Sequence, residues 1–495
     1  MKHGLKLGWS EVSMTPEKKI RLAGQFYERI SEYVETPITV TALAMTTDED
    51  QMILCSVDIE SLDPLLCSLA KEEIKRVNAE IDVDKIIVNA THTHTSFVYE
   101  GSHDPGLSAL SKYLGSEEES AVEPDDPEVM SGREATEFIS SRIAKAVLEA
   151  WEARRESYFA CGFGRAAVGM NRRVCYKDMS AKMWGDANTS EFLALEGGND
   201  NGIELIFTYD ESKKLTGVVA NIACPAQILE QRSFISSDYW GKVKILLREK
   251  YGEELKVLGL CSPAGDQCPR DLVRWVEPET PIKDPNVIRV NPRDRRADPS
   301  MYDIKGSWRV GRRIATEIIA VEEDVEEYRS DAILMHRPIM QMPLPLRRVT
   351  EEENANARAA LAEFAEKNKG KTPDFHDNAM MHVHAGVAAR YDRQKTESVV
   401  PSEIHIARFG DVAFMSCPFE LFLDFANIIR ARSAALQTFL IQLASDSKGY
   451  LPTERAEKGG HYSAYVSSGH VGHEGGYMLV EETLETIEKM FKTQE

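Results

Sequence analysis

The sequence predicts an α/β protein in which mixed β-sheets are flanked by helices, and three observations lead to this fold class. In the first third of the 495 residues, short apolar segments alternate with amphipathic ones. Strand-like and helix-like segments go on alternating to the end of the chain, and one pair of strands has a hairpin pattern. No linker-like stretch and no internal repeat divides the sequence. We therefore expect residues 1–495 to form one large domain.

Hydrophobic periodicity and capping residues predict each element in turn. An apolar strand is expected at 51–58, a helix opened by Asp63 and Pro64 follows it, and a second apolar strand is expected at 85–90. The further predicted elements are a helix at 133–155, strands at 202–209 and 215–223, a helix at 239–251, a strand at 255–260, a hairpin at 403–417, a helix at 420–434, a strand at 438–444 and a helix at 480–491.

Two segments interrupt this pattern. Residues 100–132 are acidic and rich in Gly, Ser and Pro, and residues 270–303 are rich in Pro and charged side chains. Long stretches of this composition are typical of surface loops. We expect both segments to be surface excursions from the domain.

Composition and charge exclude several classes of function. Hydrophobic residues make up 42% of the chain, which suits a soluble globular protein. The net charge of -21 repels phosphate backbones and anionic lipids, so no nucleic-acid partner is expected. The sequence has no apolar leader and no apolar run of about 18 residues, so we expect a cytoplasmic protein without membrane insertion. Eight cysteines without a CxxC pair suggest reduced thiols.

The segment NATHTHTS carries the first candidate site. His92 and His94 follow the strand predicted at 85–90, where ligands of α/β sheets commonly bind. On a strand, residues two apart point the same way, with Cα atoms roughly 6 to 7 Å apart. Neutral imidazole is a common zinc ligand. The spacing alone fits a metal site and equally fits polar residues at a strand end.

A second pair, His382 and His384 in MHVHAG, has the same spacing. If it lies on a strand, both imidazoles point to one side and could form a second metal site or a substrate-binding pair. No carboxylates with a matching pattern accompany it. The role of this pair is left open by the sequence.

Eight short motifs occur along the chain in a characteristic order. They are SVDIESLD, IIVNATHTHTS, GMNRR, SSDYWG, AGDQCPR, CPFELF, and GYLPT followed by GGHYSAY. In this order and approximate spacing, the chain resembles the neutral ceramidase family over about residues 5–490. Neutral ceramidases are zinc-dependent amidases that cleave the N-acyl bond of ceramide. The resemblance implies a ceramidase-like catalytic domain and a metal-dependent, amidase-type hydrolase.

The resemblance also implies the residues of the active site. Three side chains, His94, Arg172 and Tyr462, would lie beside the metal and stabilise a developing oxyanion. One zinc ion (Zn²⁺) per chain would be held by His92, Cys224, Glu420 and Tyr450. Without the resemblance, Glu420 also fits a carboxylate at a helix N-terminus, and Tyr450 also fits a core tyrosine after a turn.

The sequence departs from the family pattern at two cysteines. Cys224, in VANIACPAQ, stands at or next to a zinc-binding histidine of the family, and a thiolate can replace it. Cys268, in AGDQCPRD, stands in place of the catalytic serine. A thiol with a lowered pKa can attack a carbonyl. Cys268 is therefore either a nucleophile or a neighbour of a metal-activated water.

The expected reaction is hydrolysis of an amide-type (N-acyl) bond in a small polar substrate. Lipid-cleaving ceramidases have an export signal and a C-terminal immunoglobulin-like domain, and neither is expected here, so ceramide itself is not the expected substrate. One alternative is a metal-dependent hydrolase or lyase for a sugar derivative, with Arg172, Asp238 and Gln227 in a polar cleft. A second alternative is a catalytically inactive ligand-binding homologue, in which Cys224 and Cys268 mark loss of the site.

Overall fold

The computed structural model describes residues 4–102, 110, 126–273, 303–369 and 375–492. Most of the two expected surface excursions, 100–132 and 270–303, lies outside these residues. Within them, the predicted fold class is confirmed, because mixed β-sheets are flanked by helices. None of the described helices is long and apolar enough to cross a membrane.

The strands of the described residues are, in chain order, β1 (Lys6–Ser13), β2 (Thr39–Thr46), β3 (Gln51–Val57), β4 (Ile86–Ala90), β5 (Arg155–Glu156), β6 (Tyr158–Arg165), β7 (Met170–Asn171), β8 (Arg173–Tyr176), β9 (Ala181–Met183), β10 (Phe192–Leu195), β11 (Gly202–Tyr209), β12 (Leu215–Ile222), β13 (Lys256–Cys261), β14 (Gln267–Cys268), β15 (Leu334–Pro345), β16 (Val399–Phe409), β17 (Val412–Ser416), β18 (Glu420–Leu421), β19 (Gln437–Ile441) and β20 (Tyr450–Leu451). The α-helices of the same residues are α1 (Pro64–Val77), α2 (Gly132–Glu152), α3 (Asp238–Tyr251), α4 (Asp303–Glu323), α5 (Glu351–Lys367), α6 (Phe375–Arg393), α7 (Leu423–Arg432), α8 (Glu454–Gly459) and α9 (His473–Lys492).

One topology recurs in the three larger sheets of the described chain. The strand orders are β4-β3-β2-β1-β5 in the first sheet, β13-β12-β11-β6 in the second and β15-β16-β17-β19 in the third. In each sheet, neighbouring strands are antiparallel except for one parallel pair at an edge. This pair is β3 with β4, β12 with β13, or β17 with β19. A helix, α1, α3 or α7, connects the two strands of each pair. The sequence, which has no detectable repeat, did not predict this recurrence.

Each sheet has helices on one face and a shared apolar core on the other. The first sheet packs against α1 and α2, the second against α3 and α4, and the third against α7 and α9. Side chains alternate between the faces of a strand, so every strand contributes to both layers. The residues that join the three sheets in the central core include Leu43, Leu54, Val219, Leu258, Phe414 and Phe439.

Backbone hydrogen bonds tie the parallel edges of the sheets together. The Ala90 amide donates to the Leu443 carbonyl (3.1 Å), and the Ser445 amide donates to the Val88 carbonyl (2.8 Å), which joins the first sheet to the third. The Gln442 amide donates to the carbonyl of Cys261 (2.9 Å), which joins the third to the second. The carboxyl ends of the parallel pairs are therefore held side by side.

Most predicted elements are present with small shifts of their ends, and two local predictions are wrong. The helix expected at 420–434 begins only at Leu423, because Glu420 belongs to β18, which pairs with β20. His382 and His384 lie in helix α6 and not on a strand. Residues two apart in a helix point about 200° apart, so this pair does not form a shared site.

The contact between β1 and α2 gives a test of the packing. A Cβ on Gly8 would lie 2.1 Å from the Ala150 carbonyl oxygen and 2.6 Å from the Arg154 amide nitrogen. Both are backbone atoms, so Gly8→Ala must push α2 away from the sheet, and we expect the free energy of unfolding to fall by roughly 1–3 kcal/mol. Urea denaturation measures this difference. Gly198→Ala is the control, because a Cβ there meets nothing within 4 Å, and equal losses in both variants would contradict the close contact.

Candidate functional site

A cavity of about 840 Å³ opens where the carboxyl ends of the parallel pairs meet. This is the position at which α/β sheets commonly bind ligands. All three larger sheets contribute to its wall through the segments that follow their parallel strands. The residues from these segments are Glu60 after β3, His92 and His94 after β4, Gln227 and Glu230 after β12, Glu420 after β17, and Tyr450 after β19.

His92 is held in one orientation by a backbone carbonyl. Its Nδ1 lies 2.7 Å from the carbonyl oxygen of Glu60, which can only accept a hydrogen bond. Nδ1 therefore carries the proton, and the lone pair of Nε2 is left for a ligand, as in metal-binding histidines. His92 also has a left-handed backbone, with φ of 65°, which is uncommon for a residue with a side chain. The strained backbone lies directly after β4, where the His92 ring enters the cavity wall.

His94 faces the same point from the other side. Its Nε2 lies 3.4 Å from Nε2 of His92, and its Nδ1 lies 3.7 Å from the Glu230 carboxylate. Burial lowers the pKa of His94 well below its usual value, and His92 and Arg29 lower it further, so the imidazole is neutral. The ring packs on Gly24, where a Cβ would lie only 2.3 Å from the His94 ring and where φ is +86°, so only glycine fits there.

Two carboxylates complete the cluster around His92. The possible ligand atoms of Glu60, His92 and His94 all lie within 4.8 Å of one another. On the other side, Glu420 Oε2 lies 3.7 Å from His92 Nε2. Ligand atoms around a tetrahedral zinc ion are roughly 3.3 Å apart, so these spacings fit a divalent cation after small movements.

Glu60 was not among the residues that the sequence analysis selected. It lies in the motif SVDIESLD, three residues beyond β3, and β3 pairs in parallel with β4. Parallel neighbours end at the same edge of a sheet, so the position of Glu60 relative to His92 was the available signal. Glu230 was missed because no motif marks it.

The pairing of β18 with β20 places Glu420 beside Tyr450. The two strands are parallel, and Glu420 is in register with Tyr450. Burial raises the pKa of the Glu420 carboxyl, although His92 and Arg172 oppose the shift. Burial also raises the pKa of Tyr450 well above its usual value, and Glu420 adds to this. The Tyr450 hydroxyl is therefore protonated and can donate a hydrogen bond.

Arg172 supplies a cation at the edge of the cluster. Its Nη2 donates to the Tyr450 hydroxyl (3.2 Å) and to the Gly265 carbonyl (3.0 Å), and it lies 4.0 Å from Glu420 Oε2. Burial works against the charged guanidinium, yet Tyr450 and Glu420 raise the pKa of Arg172 overall. Arg172 therefore stays charged in a nearly closed environment.

The neighbours of Arg172 in GMNRR hold the site together. Asn171 Nδ2 donates to Asp266 Oδ2 (2.8 Å), which joins this motif to AGDQCPR. Arg173 is fully buried, pairs with Glu196 at 2.9 Å and donates to the Tyr462 carbonyl (2.9 Å). The Tyr462 ring, which lines the cavity, thereby meets the ring of Tyr450 edge-on, with centroids 5.6 Å apart.

Cys224 lies in the core and does not line the cavity. Its thiol donates to the Val168 carbonyl, with the sulfur 3.5 Å from the oxygen. Burial raises the pKa of the Cys224 thiol well above its usual value, so it is not a thiolate. The structure thus brings His92, Glu420 and Tyr450 together and places Cys224 apart from them.

Cys268 is also fully buried, behind the cavity wall. Its sulfur donates to the Arg270 carbonyl (3.3 Å) and accepts from the Arg270 amide (3.4 Å). Burial raises the pKa of the Cys268 thiol to about 12, although Arg172 opposes the shift. Arg270 lines the cavity, whereas Cys268 does not.

The residues of the expected polar cleft are only partly together. Arg172 and Gln227 line the cavity, but Asp238 does not. Its carboxylate accepts hydrogen bonds from the backbone amides of Leu229 (2.8 Å) and Tyr239 (2.6 Å), and burial raises the pKa of Asp238 to about 7. Asp238 therefore fixes the start of helix α3.

His382 lines the cavity, and His384 does not. The His382 ring stacks on Phe26, with centroids 4.7 Å apart and planes at 30°. Phe26 in turn meets Tyr462 edge-on at 6.2 Å. These rings form an aromatic wall on the side of the cavity opposite the strand ends.

The fold is similar to that of neutral ceramidase from Pseudomonas aeruginosa, with a TM-score of 0.64 and 13% sequence identity over 99% of this chain and 75% of that chain. A structure of a ceramidase complexed with C2 is equally similar, with a TM-score of 0.64 and 12% identity over 99% of this chain and 76% of that one. No protein-family model and no curated protein sequence matches the chain. The expected ceramidase-like fold is thereby confirmed.

The position of Cys224 gives a test of the metal ligands. We expect a Cys224→Ala variant to keep the metal content of the unaltered protein, because the thiol is protonated and turned into the core. A His92→Ala variant should lose the metal, because it removes the central lone pair of the cluster. Inductively coupled plasma mass spectrometry of the purified proteins measures both. Loss of the metal in a folded Cys224→Ala variant would make the thiol a ligand after all.

Proposed function

We propose that this chain is a zinc-dependent hydrolase that cleaves an amide-type (N-acyl) bond in a small polar substrate. The observation that carries the proposal is the convergence of two imidazoles and two carboxylates in the wall of one cavity. The ceramidase-like fold supports the class of reaction. The cavity volume, about 840 Å³, falls within the range of small-molecule sites.

His92, His94, Glu60 and Glu420 would hold one ion. Clustered carboxylates that are withdrawn from water are costly unless a cation compensates them, and Arg172 alone compensates only one. The His92 ring is fixed behind its ligand atom by the Glu60 carbonyl, as is usual for metal-binding histidines, and the Glu230 carboxylate lies 3.7 Å from Nδ1 of His94. When bound, the ion supplies Lewis-acid polarisation of a carbonyl group and activation of water.

Arg172 and Tyr450 would stabilise the charge that develops on the substrate oxygen. Both donors lie beside Glu420, and the Arg172 guanidinium and the Tyr450 hydroxyl remain protonated. Donors that are fixed in a dry site stabilise a developing oxyanion without a reorganisation cost. Tyr462 packs against the Tyr450 ring and limits its movement.

The sequence left two roles open for Cys268, a nucleophile or a neighbour of a metal-activated water. The second role is the better supported. A nucleophilic thiol requires a lowered pKa and access to the substrate. Cys268 has a raised pKa and does not reach the cavity. We therefore propose attack by water and a positioning role for Cys268 behind Arg270.

A sugar derivative remains a second candidate substrate because of the aromatic wall. Phe26 and Tyr462 present rings to the cavity, and aromatic rings offer apolar contact area to the faces of a sugar. An N-acyl amino sugar is a sugar derivative and also contains the amide bond that the proposed hydrolysis would cleave.

Hydrolysis is tested with the metal-loaded full chain and a panel of N-acetyl amino acids, N-acetyl amino sugars and a short-chain ceramide. We expect release of free amine from a polar compound, and we expect a chelator or His92→Ala to abolish it. His384→Ala is the matched control, because this imidazole does not line the cavity. No amine from any compound would refute the hydrolase, and turnover of the ceramide alone would refute the polar substrate.

Cys268 is tested by replacing its sulfur. We expect Cys268→Ser to retain activity within about tenfold, because water and not the thiol is the proposed attacking group. Mass spectrometry of the protein mixed with substrate should show no acyl group on Cys268. An acyl adduct at this residue, together with loss of turnover in Cys268→Ser, would establish the thiol as the nucleophile.

A further inference from the structure

One part of the cavity wall is formed by the last turns of helix α6 and by two segments after β19. Four nitrogen-bearing side chains line it, and we call them the arginine subsite: Arg390, Arg393, Lys448 and His470. None of them belongs to the metal cluster or to the residues selected from the sequence.

Arg390 carries a buried charge that no carboxylate neutralises among the described residues. The side chain is 6% exposed. Its Nη1 donates to the carbonyls of Val466 (2.9 Å) and Gly469, and its Nη2 donates to those of Arg347 (2.8 Å) and His470 (3.2 Å), so its partners are backbone oxygens. Its Nε is buried without a hydrogen-bond partner. A buried cation of this kind favours an anion nearby.

Arg393 fixes the tautomer of His470. Its Nη1 lies 3.2 Å from His470 Nδ1, and arginine can only donate, so Nδ1 accepts and the proton of the neutral ring is on Nε2. His470 therefore offers one N–H donor at the cavity wall. Arg393 also pairs with Glu397, and Lys448 pairs with Asp446, which leaves Arg390 as the excess charge.

The subsite has a positive electrostatic potential. The pKa of His470 is lowered to about 3, first by burial and then by Arg390, Arg393 and Lys448. The pKa of Arg390 itself is lowered to about 10 by burial and by the nearby charges of Arg393 and Arg347. Burial is the largest cause of both shifts, and the smaller contribution of the neighbouring cations is the part that disfavours a further positive charge and favours a negative one.

The balance of charged residues in the cavity wall differs from that of the chain as a whole. Acidic residues outnumber basic ones in the sequence, 80 to 59. Along the cavity, among the described residues, the cations outnumber the carboxylates. The cations are Arg21, Arg29, Arg172, Arg270, Arg390, Arg393 and Lys448, and the carboxylates are Glu28, Glu60, Asp63, Glu230 and Glu420.

We infer that the arginine subsite binds an oxyanion, a carboxylate or a phosphate, and that the substrate is an anionic N-acyl compound. Its anionic group would lie at the arginine subsite while its amide reaches the metal cluster in the same cavity. Anion binding stands on the subsite alone. The assignment of the substrate class rests on the proposed hydrolase function.

Anion binding is tested with inorganic phosphate and the full chain, treated with chelator so that no metal binds the probe. Arg393→Gln is the variant of choice, because Arg390 also holds backbone carbonyls and its replacement endangers the fold. We expect the phosphate Kd from calorimetry to rise by about tenfold or more in Arg393→Gln, since charge-assisted hydrogen bonds to phosphate are strong. Lys395→Gln, with the same charge change at an exposed position outside the cavity, should bind like the unaltered protein.

Two results would overturn the subsite. One is phosphate affinity that is absent, or equal in Arg393→Gln and the unaltered protein, which would leave these cations with a structural role only. The other is affinity that survives in Arg393→Gln and disappears in Arg172→Gln, which would put the anion at the metal cluster. Circular dichroism of each variant verifies the fold.

The substrate class is tested with matched pairs. N-acetyl amino acids are compared with their carboxamides, and N-acetylglucosamine 6-phosphate is compared with N-acetylglucosamine. We expect kcat/KM to favour the anionic member of at least one pair by about tenfold or more, and Arg393→Gln to reduce this preference. The pair that shows the preference identifies the oxyanion.

The two proposals fail in different ways. Hydrolysis without preference for an anion refutes the anionic substrate and leaves the hydrolase intact. No hydrolysis of any compound, with phosphate binding that still depends on Arg393, refutes the hydrolase and leaves the subsite intact.

Discussion

The packing of three sheets on one apolar core is the constraint on which the site depends. Each sheet contributes one parallel pair, and hydrogen bonds from Ala90 to Leu443 and from Gln442 to Cys261 hold the pairs edge to edge. Because parallel strands end at a common edge, the segments beyond them can only meet at one place. His92 and Glu420 are far apart in the sequence and 3.7 Å apart in space for this reason.

The charges of the cavity are unevenly distributed. Carboxylates and imidazoles meet at the strand ends, whereas arginines dominate in the part formed by helix α6. Clustered carboxylates favour a cation and the arginines favour an anion, because charges withdrawn from water need partners. The proposed metal ion and the anionic group of the proposed substrate would meet these two requirements.

Local patterns in the sequence predicted much of the fold and part of the site. Strand and helix periodicity located β3, α1 and β4, and the resemblance to neutral ceramidases assigned His92, Glu420 and Tyr450 to one site. What local patterns could not supply was pairing between distant segments. Glu420 was expected at a helix N-terminus, but it is a strand residue because β18 pairs in register with β20. Glu60 and His382 lie in motifs that the sequence showed, and Arg390 lies in none, but only the tertiary structure places all three in the cavity.

Cys224 shows why the sheet from which a side chain comes matters for the proposed metal site. Cys224 follows β12, and its thiol is turned into the core, so the second sheet contributes no thiolate to the cavity. The proposed ligands all follow strands of the first and third sheets, and these are the sheets that the Ala90–Leu443 and Ser445–Val88 hydrogen bonds join directly. The second sheet instead places Glu230 behind His94. In the proposed function, Glu60 after β3 would be a ligand and no ligand would come from β12.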